Sequence, residues 1–511
     1  MRTLLPLLLL GGCNPWNIDP NNSTSLNAAL WDPNVATLND GAYVRLPHAG
    51  KLLRITPSGE VTEVDLRGAS PQKLVEVADN DSLLVTATWQ VCEDDDPKIK
   101  RVEDCATDDL STAAELDLVR DGKVVQTLDV PPQFTAFAFN ANGSIAAAHL
   151  DPATTASVIV DGLLNLTAVV FVETVSGTVH EVPVGFAAES VLFTEDGSRA
   201  VVLSRSQVAV VDLASWAVSV TFPLTLDPDT MVSPQDVVLA SGGRYALVSV
   251  SGSADLYVLD LEQESIDLVE LSSSPTDMLV DSGSDQTVMV SGSRAQVDVL
   301  EHEFFEVQSF ELDEPCNAIL DGESWTVLYN TNNGYHDLYL FQPETGLLIE
   351  YRAENPISKL QLTGDQRFAV ATMNPDVSVG SGVSGFYDIH YGLGIFPLAE
   401  EADPVALVLE GAPVGLELVS NNGINQALVL MNEVDALLRV DLATGTAEPL
   451  ELERSPTAIA SSPDGKFVIS QDASLGQISF LDPATSKMVT AAGFASIGLT
   501  VDTLLPRRDA E

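Results

Sequence analysis

The chain has 511 residues, of which 74 are acidic and 24 are Lys or Arg, giving a formal net charge of −50 at pH 7. A surface this acidic repels nucleic acid and anionic lipid headgroups, so nucleic-acid-binding functions are excluded. Hydrophobic residues make up 45% of the chain, which is enough for a large core. The length is that of two or three average domains or of one large repeat fold.

The first thirteen residues, MRTLLPLLLLGGC, have the pattern of a targeting segment. Arg2 is its positively charged start, and residues 3–10 form an apolar run that is too short to span a bilayer. The string LGGC at residues 10–13 resembles the lipobox of bacterial lipoproteins, which implies cleavage before Cys13 and lipidation of that cysteine. The alternative is an ordinary secretory signal followed by a chance cysteine.

The resemblance to a lipobox implies a subcellular location. It gives a signal peptide at 1–12, a lipidated Cys13, and a flexible tether rich in Asn, Pro and Ser up to residue 37. The lipid would hold the protein on a membrane of the bacterial cell envelope. Asn14 stands where inner-membrane lipoproteins of enteric bacteria carry Asp, which favours the outer membrane, facing either the periplasm or the cell surface.

The rest of the chain is built from repeats. Residues 233–313 contain two consecutive copies of one cassette, each with four short apolar runs separated by turn residues. Each copy opens with Ser-Pro, and the two prolines, Pro234 and Pro275, are 41 positions apart. A period of about 40–45 residues with four strands per unit is typical of a β-propeller blade.

The proline marker recurs along the chain, at Pro71, Pro132, Pro315, Pro356, Pro413 and Pro456. Glycine beside Asn or Asp separates the first two apolar runs of most units, because a short hairpin turn needs a residue that tolerates positive φ. The strings S-P-D-G-K and D-x-x-T-G resemble repeats of the YVTN/WD40-like propeller superfamily. This resemblance implies an all-β propeller of four-stranded antiparallel blades and leaves the activity open.

Nine four-stranded units are predicted, with starts near residues 71, 133, 187, 233, 274, 314, 355, 412 and 455. The segment 42–68 contains three strands and 495–505 contains one, so we expect the two to form a composite blade that closes the ring. The prediction is one large ring over 38–505 with roughly eight to ten blades, closed by N- and C-terminal strands. Residues 506–511 would be a tail, and two smaller propellers are the alternative.

Two of the four cysteines flank an acidic loop, CEDDDPKIKRVEDC. In an oxidising compartment we expect Cys92 and Cys105 to form a disulfide, and Cys316 to be a buried free thiol. Carboxylates are hard oxygen ligands that could bind Ca²⁺ weakly in this loop. The candidate ligands are Asp94, Asp95, Asp96 and Glu103. A solvated charged loop is the alternative, and no other metal or cofactor is expected.

Insertions interrupt the repeat at about 90–115, 151–166, 373–386 and 391–404. Three of the four fall between the second and third strands of their units. In a propeller those connections leave on the same face as the links between blades. Loops on a rigid scaffold usually carry the binding residues, so this face is the predicted binding surface. Neutral surface insertions are the alternative.

The sequence contains no recognisable catalytic set. Its six histidines share no metal-ligand spacing, and no phosphate-binding or nucleophile motif stands in a strand–turn–helix context. We therefore expect a non-catalytic binding or scaffold module with a protein or glycan partner. The alternative is an extracytoplasmic propeller enzyme of the lactonase-like or quinoprotein-like type. A cluster of His, Arg and carboxylates at the mouth of the central channel would favour that alternative.

Overall fold

The computed structural model describes residues 30–497, except for 48, 78–80, 93–104, 107–109, 131–135, 150–166, 226–231, 233, 282–283, 377–385, 400–401, 422, 433, 435 and 474. These residues form ten antiparallel sheets of four strands each, arranged as the blades of one ring. The predicted all-β propeller is confirmed. Within the described part of the chain, no helix has the length and apolar character needed to cross a membrane.

The strands of each blade pair in chain order, from the first to the fourth. Blade 1 contains β1 (Ala36–Leu38), β2 (Gly41–Leu46), β3 (Lys51–Ile55) and β4 (Val61–Val64). Blade 2 contains β5 (Ser70–Val77), β6 (Ser82–Cys92), β7 (Leu110–Arg120) and β8 (Lys123–Val130). Blade 3 contains β9 (Ala136–Phe139), β10 (Ile145–His149), β11 (Ala168–Glu173) and β12 (Val179–Pro183). Blade 4 contains β13 (Ala188–Phe193), β14 (Arg199–Ser204), β15 (Gln207–Asp212) and β16 (Ala217–Pro223). Blade 5 contains β17 (Pro234–Ala240), β18 (Tyr245–Val250), β19 (Asp255–Asp260) and β20 (Ser265–Glu270).

The second half of the ring follows the same plan. Blade 6 contains β21 (Asp277–Asp281), β22 (Gln286–Val290), β23 (Gln296–Glu301) and β24 (Val307–Glu311). Blade 7 contains β25 (Ala318–Asp321), β26 (Thr326–Tyr329), β27 (Asp337–Gln342) and β28 (Leu347–Arg352). Blade 8 contains β29 (Ile357–Leu362), β30 (Phe368–Met373), β31 (Tyr391–Pro397) and β32 (Val405–Leu409). Blade 9 contains β33 (Pro413–Asn421), β34 (Ile424–Met431), β35 (Leu437–Asp441) and β36 (Thr446–Leu450). Blade 10 contains β37 (Pro456–Ser461), β38 (Phe467–Gln471), β39 (Gln477–Asp482) and β40 (Lys487–Ala492). Three short 3-10 turns are described, at Ser241–Gly243, Tyr387–Ile389 and Phe494–Ser496.

The hydrophobic core lies between blades. Successive side chains of a strand point to opposite faces of its sheet, and both faces are covered by neighbouring blades. Val202 therefore packs in the cluster between blades 3 and 4, whereas Val201 packs between blades 4 and 5. The described residues form one such cluster at each of the ten contacts between neighbours. Burial on both faces explains why the middle strands read as continuous apolar runs.

The proline marker has a structural role at the start of the innermost strand. First strands are innermost, since those of neighbouring blades contact one another around the ring, as β17 does with β21. Pro71, Pro234, Pro413 and Pro456 each precede a β-bulge, where the register with the second strand shifts by one residue. Proline is tolerated at the start of a strand or at a bulge, because it cannot donate to the ladder.

The nine predicted units are confirmed, and each begins within four residues of its expected start. The composite blade is wrong. The first strand of blade 1 is β1, which pairs with β2, so the N-terminal segment supplies all four strands. At the other end of the chain, Phe494–Ser496 forms a 3-10 turn, and residues 498–505 lie outside the described part. The tether predicted up to residue 37 is correspondingly too long.

The ring closes at the contact between blades 10 and 1, which we call the seam. Trp31, just before β1, is only 1% exposed and packs edge-on against Phe494, with ring centroids 5.3 Å apart. The Thr37 hydroxyl donates a 2.8 Å hydrogen bond to the carbonyl oxygen of Ser461 in blade 10. The seam therefore joins the two ends of the ring by apolar packing and a long-range hydrogen bond.

The fourth strand of each blade is outermost and pairs on one side only, with the third strand. Its outer edge leaves backbone N–H and C=O groups unpaired within the sheet. Some outer strands also expose apolar side chains, as β20 does with Ile266 and Leu268. The rim of the ring is therefore a series of free strand edges.

Candidate functional site

Three long connections leave the ring on one face, which we call the insertion face. They join the second and third strands of blades 2, 3 and 8, as predicted. In an antiparallel blade, this connection and the link to the next blade leave from the same end of the strands, so all three share a face. The fourth predicted insertion, at 391–404, is wrong, because residues 391–397 form the regular strand β31.

The connection of blade 2 joins the two strands of a long antiparallel ribbon. Strands β6 and β7 have 11 residues each and stay paired as far as Cys92 and Leu110. The predicted disulfide is confirmed: Cys92 and Cys105 are bonded, with Cα atoms 5.9 Å apart. It ties together the base of the acidic loop. The four calcium candidates, Asp94, Asp95, Asp96 and Glu103, lie outside the described residues.

Two buried carboxyl groups lie side by side on the ribbon. Glu115 and Asp117 occupy alternate positions of β7, so both point toward blade 1, and both are 0% exposed. Arg67 Nη2 lies 3.4 Å from Glu115 Oε2 and 3.8 Å from Asp117 Oδ1, and the Thr127 hydroxyl donates to Asp117. Burial, reinforced by the neighbouring Glu115, raises the pKa of Asp117 to about 7.

The connection of blade 8 is held at its stem by blade 7. His336 Nε2 lies 3.2 Å from Asp376 Oδ2, and His336 Nδ1 lies 3.2 Å from the carbonyl oxygen of Ala353. The imidazole therefore bridges a carboxylate in the connection of blade 8 and a backbone carbonyl group of blade 7.

Further charged groups fix the same corner of blade 7. Arg352 lies 2.8 Å from Asp337 and 3.5 Å from Glu314, and the Glu314 carboxylate accepts from the backbone N–H groups of His336 and Asp337. Burial and the nearby Glu314 raise the pKa of Asp337. Asp337 begins the third strand β27, Arg352 ends the fourth strand β28, and Glu314 lies in the link that leads to the innermost strand β25.

Carboxylates on the innermost strands brace neighbouring blades. Asp277 accepts a 2.7 Å hydrogen bond from the N–H of Ile319 in blade 7. Asp236 is its equivalent one repeat earlier and accepts from the N–H of Met278 in blade 6. Burial raises the pKa of Asp277 and raises that of Asp236 to about 6. These carboxylates therefore connect the first strands of neighbouring blades. Among the described residues, no group of three or more His, Cys, Asp or Glu could hold a metal ion.

A cleft of about 250 Å³ opens on the insertion face between blades 9 and 10. It lies where the first strand of each of these two blades begins and where β34 ends. The lining residues are Val414, Leu430, Met431, Asn432, Val434, Ser455, Pro456 and Thr457. Five of these eight residues are apolar, but the surface that the cleft exposes is slightly more polar than apolar. The insertion face therefore combines three long connections, two of which have fixed stems, with a cleft of mixed polarity.

Sequence reasoning found part of this site. It predicted the insertion face and the disulfide, and Cys316 is a buried free thiol as expected. It missed the pair of His336 and Asp376, although the two residues are 40 positions apart, which is one repeat. That spacing between polar residues was the available signal. The cleft had no signal in the sequence, because it depends on how two blades fit together.

No protein-family model and no curated protein matches the chain. Several solved structures are similar in shape. A eukaryotic initiation factor has 10% identity and a TM-score of 0.47, over 90% of this chain and 95% of its own. The Dos1 propeller has 11% identity and a TM-score of 0.41, over 66% and 89%. The dihydro-heme d1 dehydrogenase NirN has 13% identity and a TM-score of 0.39, over 72% and 84%. Likenesses this distant carry no argument about function, and the sheets themselves define the chain as a ten-bladed β-propeller.

Proposed function

We propose that this protein is a non-catalytic binding or scaffold module whose ligand, a protein or a glycan, binds on the insertion face. The supporting observation is that three long connections share this face and that two have fixed stems. The disulfide of Cys92 and Cys105 ties one stem, and the pair of His336 and Asp376 holds the other. A fixed stem reduces the conformational entropy that a loop loses on binding.

We also propose that the propeller is anchored by lipid to the bacterial cell envelope, with the outer membrane favoured. The support is the sequence of the first thirteen residues, which lie outside the described part. In this proposal residues 1–12 are a signal peptide, Cys13 carries the lipid, and residues 14–29 link it to the propeller. The tether keeps a domain with a net charge of −50 away from anionic headgroups.

Replacing Cys13 by alanine tests the anchor. We expect Cys13→Ala to move the protein from the membrane fraction to the soluble fraction, because the thiol that takes the lipid is lost. Fractionation and metabolic labelling with a fatty-acid analogue measure this change. Cys316→Ala removes a buried thiol and should leave the protein in the membrane fraction, which makes it the matched control. A Cys13→Ala protein that stays in the membrane contradicts the lipid anchor.

Capture of a partner from the native cell envelope tests the binding module. We expect the mature domain to retain a partner, and we expect a variant with a Gly-Ser linker in place of residues 93–104 to lose it, with both cysteines kept. Repeating the capture without Ca²⁺ tests the carboxylates at 94, 95, 96 and 103. Phe304→Ser, an exposed position on the opposite face, is the control. Failure to retain any partner in either condition contradicts the proposal and favours the propeller-enzyme alternative.

A further inference from the structure

We propose that the insertion face is turned toward the membrane that holds the lipid anchor, and that its partner is a protein embedded in that same membrane. This inference rests on the proposed function, because it takes from it the lipid on Cys13 and the binding role of the insertion face. It adds the orientation of the ring and the class of partner. It follows from the place where the chain enters the ring and from the length of the segment before it.

The chain enters the ring on the insertion face. Strand β1 begins at the end of blade 1 where β2 passes into β3, which is the insertion-face end of the blade. The residues before β1 stay at that end. The N–H of Asp32 donates to the carbonyl oxygen of Arg45, one residue before the end of β2, and the Ser470 hydroxyl near the end of β38 donates to the carbonyl oxygen of Pro33. A segment that precedes residue 30 therefore leaves from this face.

The entry point is held firmly in the ring. Trp31 is 1% exposed and packs against Phe494, with ring centroids 5.3 Å apart. The next residue, Asp32, accepts a 3.0 Å hydrogen bond from Nε of Arg45. Buried packing and a charged hydrogen bond fix the chain on both sides of residue 32. The segment toward Cys13 therefore starts from one defined place at the seam.

The segment between the lipid and the ring is short. Residues 14–29, sixteen in number, lie between Cys13 and the first described residue. A chain of this length spans at most about 50–60 Å, because each residue adds no more than about 3.3–3.6 Å. The opposite face is farther from the entry point by the length of a blade strand, and a six-residue strand is about 20 Å long. The insertion face is therefore the nearer of the two to the lipid.

Charge keeps the lipid surface itself from being the partner. The chain carries −50, so anionic headgroups repel the ring instead of binding it. A protein that projects from the membrane can occupy the space between the bilayer and the insertion face. Two molecules tied to one surface by short segments meet at a high effective concentration, so a modest affinity is sufficient for binding.

Exposed side chains on the insertion face favour a protein partner. Phe386 is 65% exposed and Ile389 is 62% exposed, both in the connection of blade 8. Phe186, in the link between blades 3 and 4, is 53% exposed, and the guanidinium of Arg205 lies 5.7 Å from the centre of its ring. Aromatic residues and arginine are enriched in protein interfaces. These side chains stand on the side from which the anchored segment leaves.

Energy transfer in vesicles tests the orientation. The lipidated protein is placed in phosphatidylcholine vesicles with a trace of rhodamine-labelled phosphatidylethanolamine, and a donor dye is attached to Leu475→Cys or Ala484→Cys. Both positions are exposed in blade 10, but the first lies between β38 and β39 on the insertion face, and the second between β39 and β40 on the opposite face. Cys316 is buried and Cys92 is bonded to Cys105, so the dye reacts with the introduced thiol. We expect the higher transfer efficiency from position 475, because it lies nearer the bilayer.

Crosslinking in the intact envelope tests the class of partner. The photoreactive p-benzoylphenylalanine replaces Phe386 on the insertion face or, as the control, Phe304, which is 70% exposed on the opposite face. The protein is secreted with an ordinary cleavable signal in place of residues 1–13, so it has no lipid of its own. We expect an adduct with a protein from position 386 and none from position 304. The adduct should stay in the membrane after carbonate extraction, because only an embedded partner can hold it there.

The other outcomes separate this inference from the proposed function. Equal transfer from positions 475 and 484, or higher transfer from 484, overturns the orientation. An adduct that is soluble, or an adduct with a glycan, overturns the class of partner and leaves the binding role of the insertion face standing. No adduct from position 386, in a variant that unfolds like the wild type and in cells where the wild-type domain captures a partner, overturns the inference. A wild-type domain that captures nothing contradicts the proposed function.

Discussion

Replacement of Trp31 by alanine is expected to lower the free energy of unfolding by about 3–5 kcal/mol. The side chain is 1% exposed and sits in the apolar cluster of the seam, edge-on to Phe494. Its indole nitrogen has no hydrogen-bond partner in the structure, so the loss is one of packing alone. Because the seam is the only contact that no chain connection reinforces within the described ring, a cavity there should weaken the closure of the whole propeller.

Guanidinium unfolding measures this effect through the midpoint and slope of the transition. Phe304→Ala removes an aromatic ring that is 70% exposed, so it should change stability by less than about 0.5 kcal/mol. A chain that begins at residue 39 lacks both Trp31 and β1, and its unfolding should lose cooperativity. Wild-type stability in Trp31→Ala would show that residues before β1 do not contribute to closure.

Replacement of Asp117 by asparagine is expected to stabilise the protein at pH 8 by about 2–4 kcal/mol. Burial raises the pKa of Asp117 to about 7, well above the ordinary value of about 3.9 for an unfolded chain. Between these two values the folded state holds a proton that the unfolded state has released. The stabilising contribution of Asp117 is therefore fully present below about pH 4 and is lost as the pH rises from there through about 7. Asparagine stays neutral at every pH, so it avoids this loss.

Chemical unfolding at pH 5 and pH 8 measures both the size and the sign of the change in the free energy of unfolding. The gap in stability between the two pH values should be smaller in Asp117→Asn than in the wild type. Asp196 is the matched control, because hydrogen bonds from Thr194 and Ser198 lower its pKa to about 2. Its contribution is present above about pH 4 and is lost only in acid, so Asp196→Asn should destabilise the protein at pH 8. If the stability of Asp117→Asn depended on pH as that of the wild type does, the raised pKa of Asp117 would be contradicted.

The repeat made most of the ring predictable. Most blades follow a marker proline and turn at a glycine, so nine starts could be placed from local chemistry alone. The first strand of blade 1 was not predicted because Ala36–Leu38 has only three residues, although Pro33 stands three residues before it, as Pro315 does before β25. The stronger apolar pattern of 495–505 led to the composite blade, although the pairing that decides between the two segments is a long-range contact.

Strand β31 was assigned to an insertion because blade 8 is longer than the repeat of about 41 residues, and the strand contains two glycines. In the fold these glycines allow close packing inside blade 8. A Cβ atom at Gly394 would lie 2.7 Å from the ring of Phe396, and one at Gly392 would lie 2.8 Å from the methyl group of Met373. Glycine inside a strand often marks such a close approach. The repeat period alone shows that blade 8 contains extra residues and does not show where they lie.

Local spacing predicted the disulfide, since Cys92 and Cys105 are joined by one short loop. The pair of His336 and Asp376 involves two different blades, and its geometry depends on the carbonyl oxygen of Ala353 on the other side of the imidazole. The cleft depends on the fit of two sheets. Features of the site that arise within one hairpin were therefore predictable, and features that arise between blades were not.

The exposed edges of the outer strands suggest a second role for the acidity of the chain. Unpaired strand edges can join with those of another molecule, and this ring presents ten of them. On β20, the exposed Ile266 and Leu268 alternate with Asp267, and Glu270 ends the strand. Two such rims that approach each other bring together like charges on molecules of −50 each. The surplus of carboxylates thus protects the propeller against edge-to-edge aggregation, and that protection weakens wherever salt screens the charge or acid neutralises it.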